Sequence, residues 1–447
     1  MSNFTTITAL YSAPLLIIIF CYLYKKRCHN KESQSYLEES VSAGLIEPAS
    51  LHPVIDFPSC IGCGSCVSAC PEKKVLGLIN RRAHLVNPTS CIGHGACKSA
   101  CPEDAIKLVF GSATRGVDIP DVSPEFETNM KNIYIAGELG GMGLIRNAIE
   151  QGRQAMQAIA KHLKNTKNSI DADLLDCLII GAGPAGLSAT LQAMSDGLQT
   201  VTIDQDTVGG TVAHFPRGKL VMTAPAILPL VGNVKFTEIS KEDLISFWIK
   251  IIEKNNVKIQ EKEALVDIKK QTDGSFEVKT TKRSYFSKKL LLTIGRRGTP
   301  RKLGVPGEER SKVAYRMIDP EQYSGHKVLV VGGGDSALEA ACSIAELSNA
   351  KQHGTAVWIS YRSDSFNRAK PKNRKRVNNL QQQGKLQVLF SSNVAVIGKQ
   401  SVTFKAIGDE QALEIPNTAI IICVGGVLPT PLLKQLGINI STKYGTE

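Results

Sequence analysis

Two runs of cysteine and two glycine turns are the parts of this sequence that can do chemistry. The first run reads Cys60-Ile-Gly-Cys63-Gly-Ser-Cys66-Val-Ser-Ala-Cys70-Pro71. The second reads Cys91-Ile-Gly-His94-Gly-Ala-Cys97-Lys-Ser-Ala-Cys101-Pro102. Thiolates spaced C-x2-C-x2-C-x3-C-P wrap a cubane iron–sulfur cluster. Zinc ribbons pair two C-x2-C knuckles instead. The first glycine turn is Gly181-Ala-Gly183-Pro-Ala-Gly186, behind the apolar Cys177–Ile180. In G-x-G-x-x-G the first glycine allows a sharp turn, the second lets a pyrophosphate approach the backbone, and the third lets the helix pack on the strand. Val201–Ile203 reads as the next strand, and Asp204 ends it about twenty residues on, where a ribose hydroxyl is bound. The second turn is Gly332-Gly-Gly334-Asp-Ser-Ala337, behind Lys327–Val331. Its next strand, Ala356–Ser360, ends in no carboxylate, and Arg362 and Arg368 stand beyond it. Arginines there suit the extra 2′-phosphate of NADPH, so NADPH is expected over NADH.

The chain that must position these groups has 447 residues, enough for two or three domains with their own cores. Seven of its 12 cysteines fall in the two runs, which is metal spacing and implies a reducing compartment. Lys and Arg number 53 against 41 Asp and Glu. That excess permits an anionic partner, but no recognition helix or RNA-binding signature is present, and no nucleic acid is expected. Ile7–Tyr24 carries no charge and is about long enough to cross a bilayer as a helix, with Lys25, Lys26 and Arg27 directly behind it. The positive-inside rule then predicts a single-pass anchor in the cytoplasmic membrane, with the rest of the chain on the cytoplasmic side. The start has no positive charge and no small-residue cleavage site, which argues against a removed signal peptide. His29–Pro53 reads as a polar, mobile linker.

Over roughly residues 53 to 110 the cysteine runs resemble the bacterial two-cluster ferredoxin module. The resemblance implies exchanged fourth ligands: Cys60, Cys63, Cys66 and Cys101 for one [4Fe-4S] cluster, and Cys91, Cys97 and Cys70 for the other. The sequence departs from that pattern at His94, where the module has Cys. Either the imidazole is the fourth ligand, or the second cluster is a [3Fe-4S] species with His94 as a bystander.

About three-quarters of the chain resembles thioredoxin-reductase-like flavoproteins. Lys131-Asn-Ile-Tyr-Ile-Ala-Gly137-Glu138 is similar to their last strand, whose acidic residue holds the ribityl chain of FAD. Gly140-Gly-Met-Gly143 then opens the helix that faces the flavin's pyrimidine edge. In the family this piece closes the chain, whereas here it precedes the first glycine turn. A circular permutation follows, with residues 112–166 completing the FAD domain from the front. Gly209, Gly210 and Thr211 resemble the loop under the flavin, Leu290–Gly295 is an apolar strand ending in Gly295, and Leu303–Glu309 resembles the exit from the FAD domain. The resemblance assigns Gly181, Gly183, Gly186, Asp204, Gly137 and Glu138 to FAD, and Gly332, Gly334, Ala337, Arg362 and Arg368 to NADPH. The stretch Thr211–Thr223 also looks like bacillithiol-disulfide reductases.

The redox dithiols of the family are absent. Ala314–Pro320 replaces the C-x-x-C of thioredoxin reductases, and no cysteine lies near Gly209-Gly210. Cys177 and Cys423 in apolar strands and Cys342 on a helix read as inert core thiols. In this the chain is closer to the thioredoxin-reductase-like ferredoxin–NADP reductases, which also lack the dithiol. The expected fold is α/β: two Rossmann-like three-layer dinucleotide-binding domains, an α+β ferredoxin-like iron–sulfur domain and an N-terminal transmembrane helix. The expected boundaries are 1–28 anchor, 29–53 linker, 54–111 ferredoxin domain, 112–166 permuted FAD piece, 171–318 FAD domain, 319–424 NAD(P)H domain and 425–447 return to the FAD domain. The expected activity passes electrons between NADPH, FAD, two iron–sulfur clusters and a one-electron acceptor or donor, a protein or a quinone, in a homodimer. No acid–base side chain is required. A disulfide reductase and a membrane-tethered redox sensor are the alternatives.

Overall fold

The computed structural model describes residues 2–42, 48, 51–72, 74–91, 93, 95–112, 116–141, 143–164, 174–222, 225–236, 238–296, 298–347, 354–366, 369–405 and 412–446. His94 and Arg368 lie outside the described residues. The chain divides into two units, Met1–Val117 with Lys443–Glu447, and Asp118–Thr442.

The first unit opens with helix α1 (Ser2–Ser42). Strands β1 (His52–Ile55), β2 (Leu76–Ile79), β3 (Arg82–Leu85) and β4 (Ile106–Val109) follow, with short helices α2 (Ser65–Ala69) and α3 (Ala96–Ser99) between them. β1 pairs antiparallel with β4, and β2 with β3. Asn80 (φ 49°) and Arg81 (φ 63°) make the two-residue turn joining β2 to β3, the left-handed pair that matches strand twist. The core gathers Val75, Leu76, Ala83, Ala105 and Ile106 around Cys60, Cys66 and Cys97.

Two expectations for the chain's start are corrected here. Residues 29–42 are not a loose linker, because α1 continues through them to Ser42. One face of that segment is held on the β2–β3 hairpin by polar contacts. Asn30 Oδ1 accepts from Asn80 N at 2.8 Å, Ser40 Oγ donates to Val86 O at 2.9 Å, and Glu32 pairs with Lys74 at 3.1 Å. Among the described residues, no helix is long and apolar enough to cross a membrane. The uncharged run carries Thr8, Ser12 and Pro14, and it is one part of a 41-residue helix whose remainder is polar and charged.

The second unit holds two parallel sheets. The first contains β5 (Ile133–Ile135), β6 (Cys177–Ile180), β7 (Thr200–Ile203), β8 (Ile259–Gln260) and β9 (Leu290–Leu292), in the order β8-β7-β6-β9-β5. Helix α4 (Ile145–Lys164) runs behind β5, and α5 (Pro184–Ser195) behind β6, with Pro184 at its first position. β5 lies beside β9 in parallel register, Leu290 opposite Ile133. Ile133 and Ile135 enter the core on one face with Leu178, Leu290 and Leu292, while Tyr134 joins Met156, Ile159 and Leu291 on the other. α4 and α5 pack closely because position 152 is glycine: a Cβ there would lie 2.0 Å from Ala185 O. Helix α6 (Lys241–Lys254) is capped by Ser240, whose Oγ accepts from Asp243 N. Leu433 and Ile438 pack into the same core as Leu178.

The other sheet contains β10 (Val313–Ala314), β11 (Lys327–Val331), β12 (Ala356–Ser360), β13 (Gln387–Leu389) and β14 (Ala419–Ile422), in the order β10-β14-β11-β12-β13. Helices α7 (Asp335–Ala345) and α8 (Pro371–Gln382) cover one face with Leu338, Ala341, Val377 and Leu380. Cys423 falls just past the end of β14 rather than inside it, and is half-buried.

Candidate cofactor-binding sites

Each glycine turn joins the end of a buried strand to the start of a helix. At the first, Gly181 has φ 111°, and a Cβ there would lie 2.5 Å from Thr293 O. A Cβ on Gly186 would lie 1.8 Å from Gly181 O, so only glycine lets α5 reach the strand. Gly183 differs, since a Cβ there would meet nothing within 4 Å. The turn thus has two positions closed by packing and one open to an incoming group. The second turn repeats the pattern: Gly332 (φ 145°) is closed by Cys423 O at 2.4 Å, Ala337 is fully buried, and Gly334 is open. Such open backbone N–H groups at a helix start are where a dinucleotide pyrophosphate fits.

Asp204 ends β7 with its carboxylate aimed back at the first turn. Oδ2 accepts from Ala182 N at 2.6 Å and Oδ1 from Asp206 N at 2.8 Å. Burial holds its pKa above the ordinary carboxylate value in spite of these donors. Gly209 N donates to Ala182 O, and a Cβ on Gly210 would come within 3.1 Å of Gly183 Cα, so this loop sits against the turn. Thr211 lies in the short Gly210–Val212 helical turn that follows. Gly137 is buried beside Ala185 at the start of α5, and its N donates to Gln151 Oε1 at 2.9 Å. Glu138 is half-buried, and its Oε1 lies 3.7 Å from the Cβ position of Gly143. Gly143 is exposed, and the helix expected to begin there begins at Ile145. Gly295 (φ 66°) leaves β9 with open space around it. The first turn, Asp204, the Gly209–Thr211 loop and Gly137 are therefore gathered at one end of one sheet.

Several residues at these sites escaped the sequence reading. The buried Thr293 Oγ1 donates toward Ile180 O at 3.0 Å and Gly181 O at 2.8 Å, fixing the turn from the neighbouring strand. His214 Nε2 lies 2.8 Å from Asp206 Oδ2, with Arg316 3.8 Å from the same oxygen. No sequence spacing connects these residues, which meet only once the unit is folded.

At the second turn Asp335 Oδ1 accepts from Lys370 N at 2.8 Å and Asn373 Nδ2 at 2.7 Å, tying α7 to α8. Arg362 is exposed beyond β12. The lone thiols of this unit are all raised by burial: Cys342 and Cys423 to about 12, and Cys177 further still. Such thiols are poor nucleophiles.

In the first unit the glycines at matching positions of the two cysteine runs are all left-handed. Gly62 and Gly64 have φ 70° and 81°, and Gly93 and Gly95 have φ 72° and 78°. Cys60, Cys63, Cys66 and Cys101 line one cavity of about 330 Å³ including its open mouth, with Ala83, Pro102 and Ile106. Among the described residues no three His, Cys, Asp or Glu side chains close on a single ion. Thiols around a cavity are what a multi-atom cluster requires, and N–H donors point at the sulfurs: Ala83 N to Cys60 Sγ at 3.5 Å and Ala105 N to Cys101 Sγ at 3.3 Å. Cys97 is pushed up to about 11, by burial first and then by its neighbours Cys91 and Cys70. Hydrogen bonding with Ser65 holds the exposed Cys63 below the ordinary thiol value.

Residues 178–445 match the family described as pyridine nucleotide-disulphide oxidoreductase, and residues 52–102 match the 4Fe-4S dicluster domain. The chain is 32% identical over 278 residues to a ferredoxin–NADP reductase of Ignicoccus hospitalis, covering 60% of this chain and 83% of that one. It is 23% identical over 273 residues to the bacilliredoxin reductase Bdr of Bacillus subtilis, covering 60% and 82%. The bacillithiol disulfide reductase Bdr structure from Staphylococcus aureus aligns with TM-score 0.48 and 23% identity, over 61% of this chain and 84% of that one. With two glycine turns and a thiol-lined cavity in place, the chain belongs to the pyridine nucleotide-disulphide oxidoreductase family, as an FAD-dependent member with a 4Fe-4S dicluster domain ahead of its flavoprotein part.

Proposed function

We propose that the protein passes electrons between NADPH and a one-electron carrier protein, in the manner of a ferredoxin–NADP reductase with its own two-cluster domain. The observation that carries this reading is the pairing of a missing dithiol with a thiol-lined cavity. Tyr315 to Asp319 and Gly209 to Thr211 hold no cysteine, and the thiols of that unit, Cys177 and Cys342 buried and Cys423 half-buried, are all raised. NADPH supplies a hydride, FAD exchanges electrons in pairs or singly, and iron–sulfur clusters exchange them singly.

The chain's own residues bind and orient these groups. Gly183 and Gly334 leave backbone N–H groups clear for the two pyrophosphates, and Asp204 orders the first turn through Ala182 N. Gly137, Glu138, Gly143, Gly209, Gly210, Thr211 and Gly295 border the FAD site, and Arg362 and Arg368 meet the 2′-phosphate. Cys60, Cys63, Cys66 and Cys101 hold one cluster. Cys70, Cys91 and Cys97 hold the other, with His94 as its fourth ligand. The ferredoxin–NADP reductase name of the Ignicoccus relative supports a carrier partner. The Bdr name of the Bacillus relative supports a second reading, a disulfide reductase whose substrate brings its own sulfur.

The test compares NADPH oxidation with one-electron acceptors and with low-molecular-weight disulfides. Cys60→Ser is expected to abolish bleaching of the cluster that Cys60 holds and to lower iron content, while sparing flavin bleaching by NADPH. Faster turnover of disulfides than of one-electron acceptors would replace the first reading with the second. For α1 we propose contact with a bilayer surface. Leu16, Ile17, Ile18 and Phe20 are 62%, 62%, 65% and 69% exposed, and Lys25, Lys26 and Arg27 follow them. Apolar side chains beside cations suit anionic lipid. Flotation with vesicles containing phosphatidylglycerol is expected, and its absence would remove this part. A homodimer is also proposed, to be read by light scattering.

A further inference from the structure

We propose that Tyr361 sets the choice between the two nicotinamide dinucleotides, by filling the place of a ribose-binding carboxylate with an aromatic ring. The inference rests on the NADPH reading and deepens it. In a strand–turn–helix dinucleotide site, the residue closing the second strand carries the acid that accepts from the ribose 2′-hydroxyl. In this chain that strand is β12. Its last residue, Ser360, is fully buried, with Oγ 2.8 Å from Ser392 Oγ, and so is turned away from the turn.

Tyr361 comes next, and its ring lies on the glycine turn. A Cβ built on Gly333 would sit 2.4 Å from each of three Tyr361 ring carbons, so the ring covers the backbone between Gly332 and Gly334. The ring is held there. It stacks on Phe366 at 5.8 Å and 22°, and Phe366 packs on Phe390 at 4.8 Å. The Tyr361 main chain is pinned on both sides, its N donating to Leu389 O and its O accepting from Ser392 N. A ring in this position supplies a flat apolar wall and no anionic acceptor. A ribose 2′-hydroxyl placed there has no carboxylate partner, so NADH gains nothing. A 2′-phosphate meets no negative charge from this position and has the exposed Arg362 one residue on.

The experiment measures binding of 2′,5′-ADP and 5′-AMP to the FAD-loaded full chain by calorimetry, alongside kcat/KM for NADPH and NADH with a one-electron dye. The wild type is expected to prefer 2′,5′-ADP. Tyr361→Asp is expected to lower that preference at least about tenfold, the scale of one charge-assisted hydrogen bond gained by one ligand and one repulsion met by the other. Tyr361→Phe, which keeps the ring, is expected to keep the wild-type ratio. Tyr361→Ser opens the space without charge and is expected to lower the ratio about threefold, which covers the case of an aspartate variant that fails to fold. Flavin content and melting temperature verify each variant. A wild type preferring 2′,5′-ADP whose folded variants all keep the same ratio overturns the role of Tyr361 alone. A wild type without preference overturns the NADPH reading, and the inference with it.

Discussion

The three glycines of the first turn have different surroundings, and their substitutions separate folding from binding. A Cβ on Gly186 meets Gly181 O at 1.8 Å, a backbone atom that has no room to move, whereas a Cβ on Gly183 meets nothing within 4 Å. Gly186→Ala is therefore expected to destabilise the apoprotein by about 1–3 kcal/mol, the cost of overpacking a closed site. Gly183→Ala is expected to leave the apoprotein's unfolding midpoint unchanged and, on the proposed binding site, to weaken FAD binding, because its methyl group enters only the open space proposed for the pyrophosphate. Denaturant unfolding of apoprotein and flavin titration check the pair, and equal losses of stability would contradict it. Thr293→Val removes the hydroxyl shared by Ile180 O and Gly181 O, at a cost of about 1 kcal/mol in the same unfolding assay. The glycine spacing was legible in the sequence because the motif is local. Thr293 was not, because its partners lie more than a hundred residues away. Tyr361 was visible only as one more residue beside two arginines.

At the scale of elements, loops are held by side chains that stand in for missing backbone partners. The loop Leu303–Glu309 is closed by the buried Glu308. Its Oε1 accepts from Leu303 N at 2.7 Å and Tyr315 Oη at 2.9 Å, and its Oε2 accepts from Gly304 N at 2.7 Å. Burial pushes this carboxyl up, but the donors together outweigh it and leave the pKa below the ordinary glutamate value. A depressed carboxyl contributes stability that is present above the unfolded pKa and is lost as pH falls through the folded one. Glu308→Gln keeps one acceptor and turns an N–H2 toward a donor, at a cost of about 1–3 kcal/mol at pH 7. The difference in unfolding free energy between wild type and variant is expected to shrink as pH is lowered from 7 toward 3. A constant difference across that range would mean the carboxylate is not the holding group. The same scale shows where sequence patterns mislead. Residues 29–42 looked like a linker because they are polar, yet Asn30, Ser33 and Ser40 recur at helical spacing and meet the β2–β3 hairpin through polar atoms. Hydrophobic periodicity carries no sign of a helix held that way.

At the scale of the molecule, the order of the chain departs from the order of the sheet. β5 and α4 come before the first glycine turn in sequence and form the sheet's β9-side edge and its covering layer. The strand itself was legible because Ile133–Glu138 carries a recognisable strand-and-turn pattern, while the register against Leu290–Leu292 was not, since nothing local selects that edge. The dependence is large. Tyr134, Met156 and Ile159 are fully buried, and Ala155 and Gly152 lie against α5. At about 1.5–3 kcal/mol for each large side chain buried, this layer contributes as much as the whole net stability of an ordinary domain, about 5–15 kcal/mol. A chain beginning at Leu174, where the usual order of such a domain would start, is therefore expected to lack a cooperative unfolding transition and to retain no flavin. Supplying residues 118–166 as a separate polypeptide is expected to restore both, because the strand pairs by backbone hydrogen bonds and the helix by close packing, and neither contact requires the covalent link. Gly152→Leu in the added piece is expected to abolish the rescue, since its side chain would enter the space of Ala185 O. Flavin absorbance after gel filtration, with calorimetric melting of the same fractions, reads the outcome. Full flavin content in the shortened chain alone would show that the glycine turn and Asp204 suffice, and that the front piece only covers a site already complete.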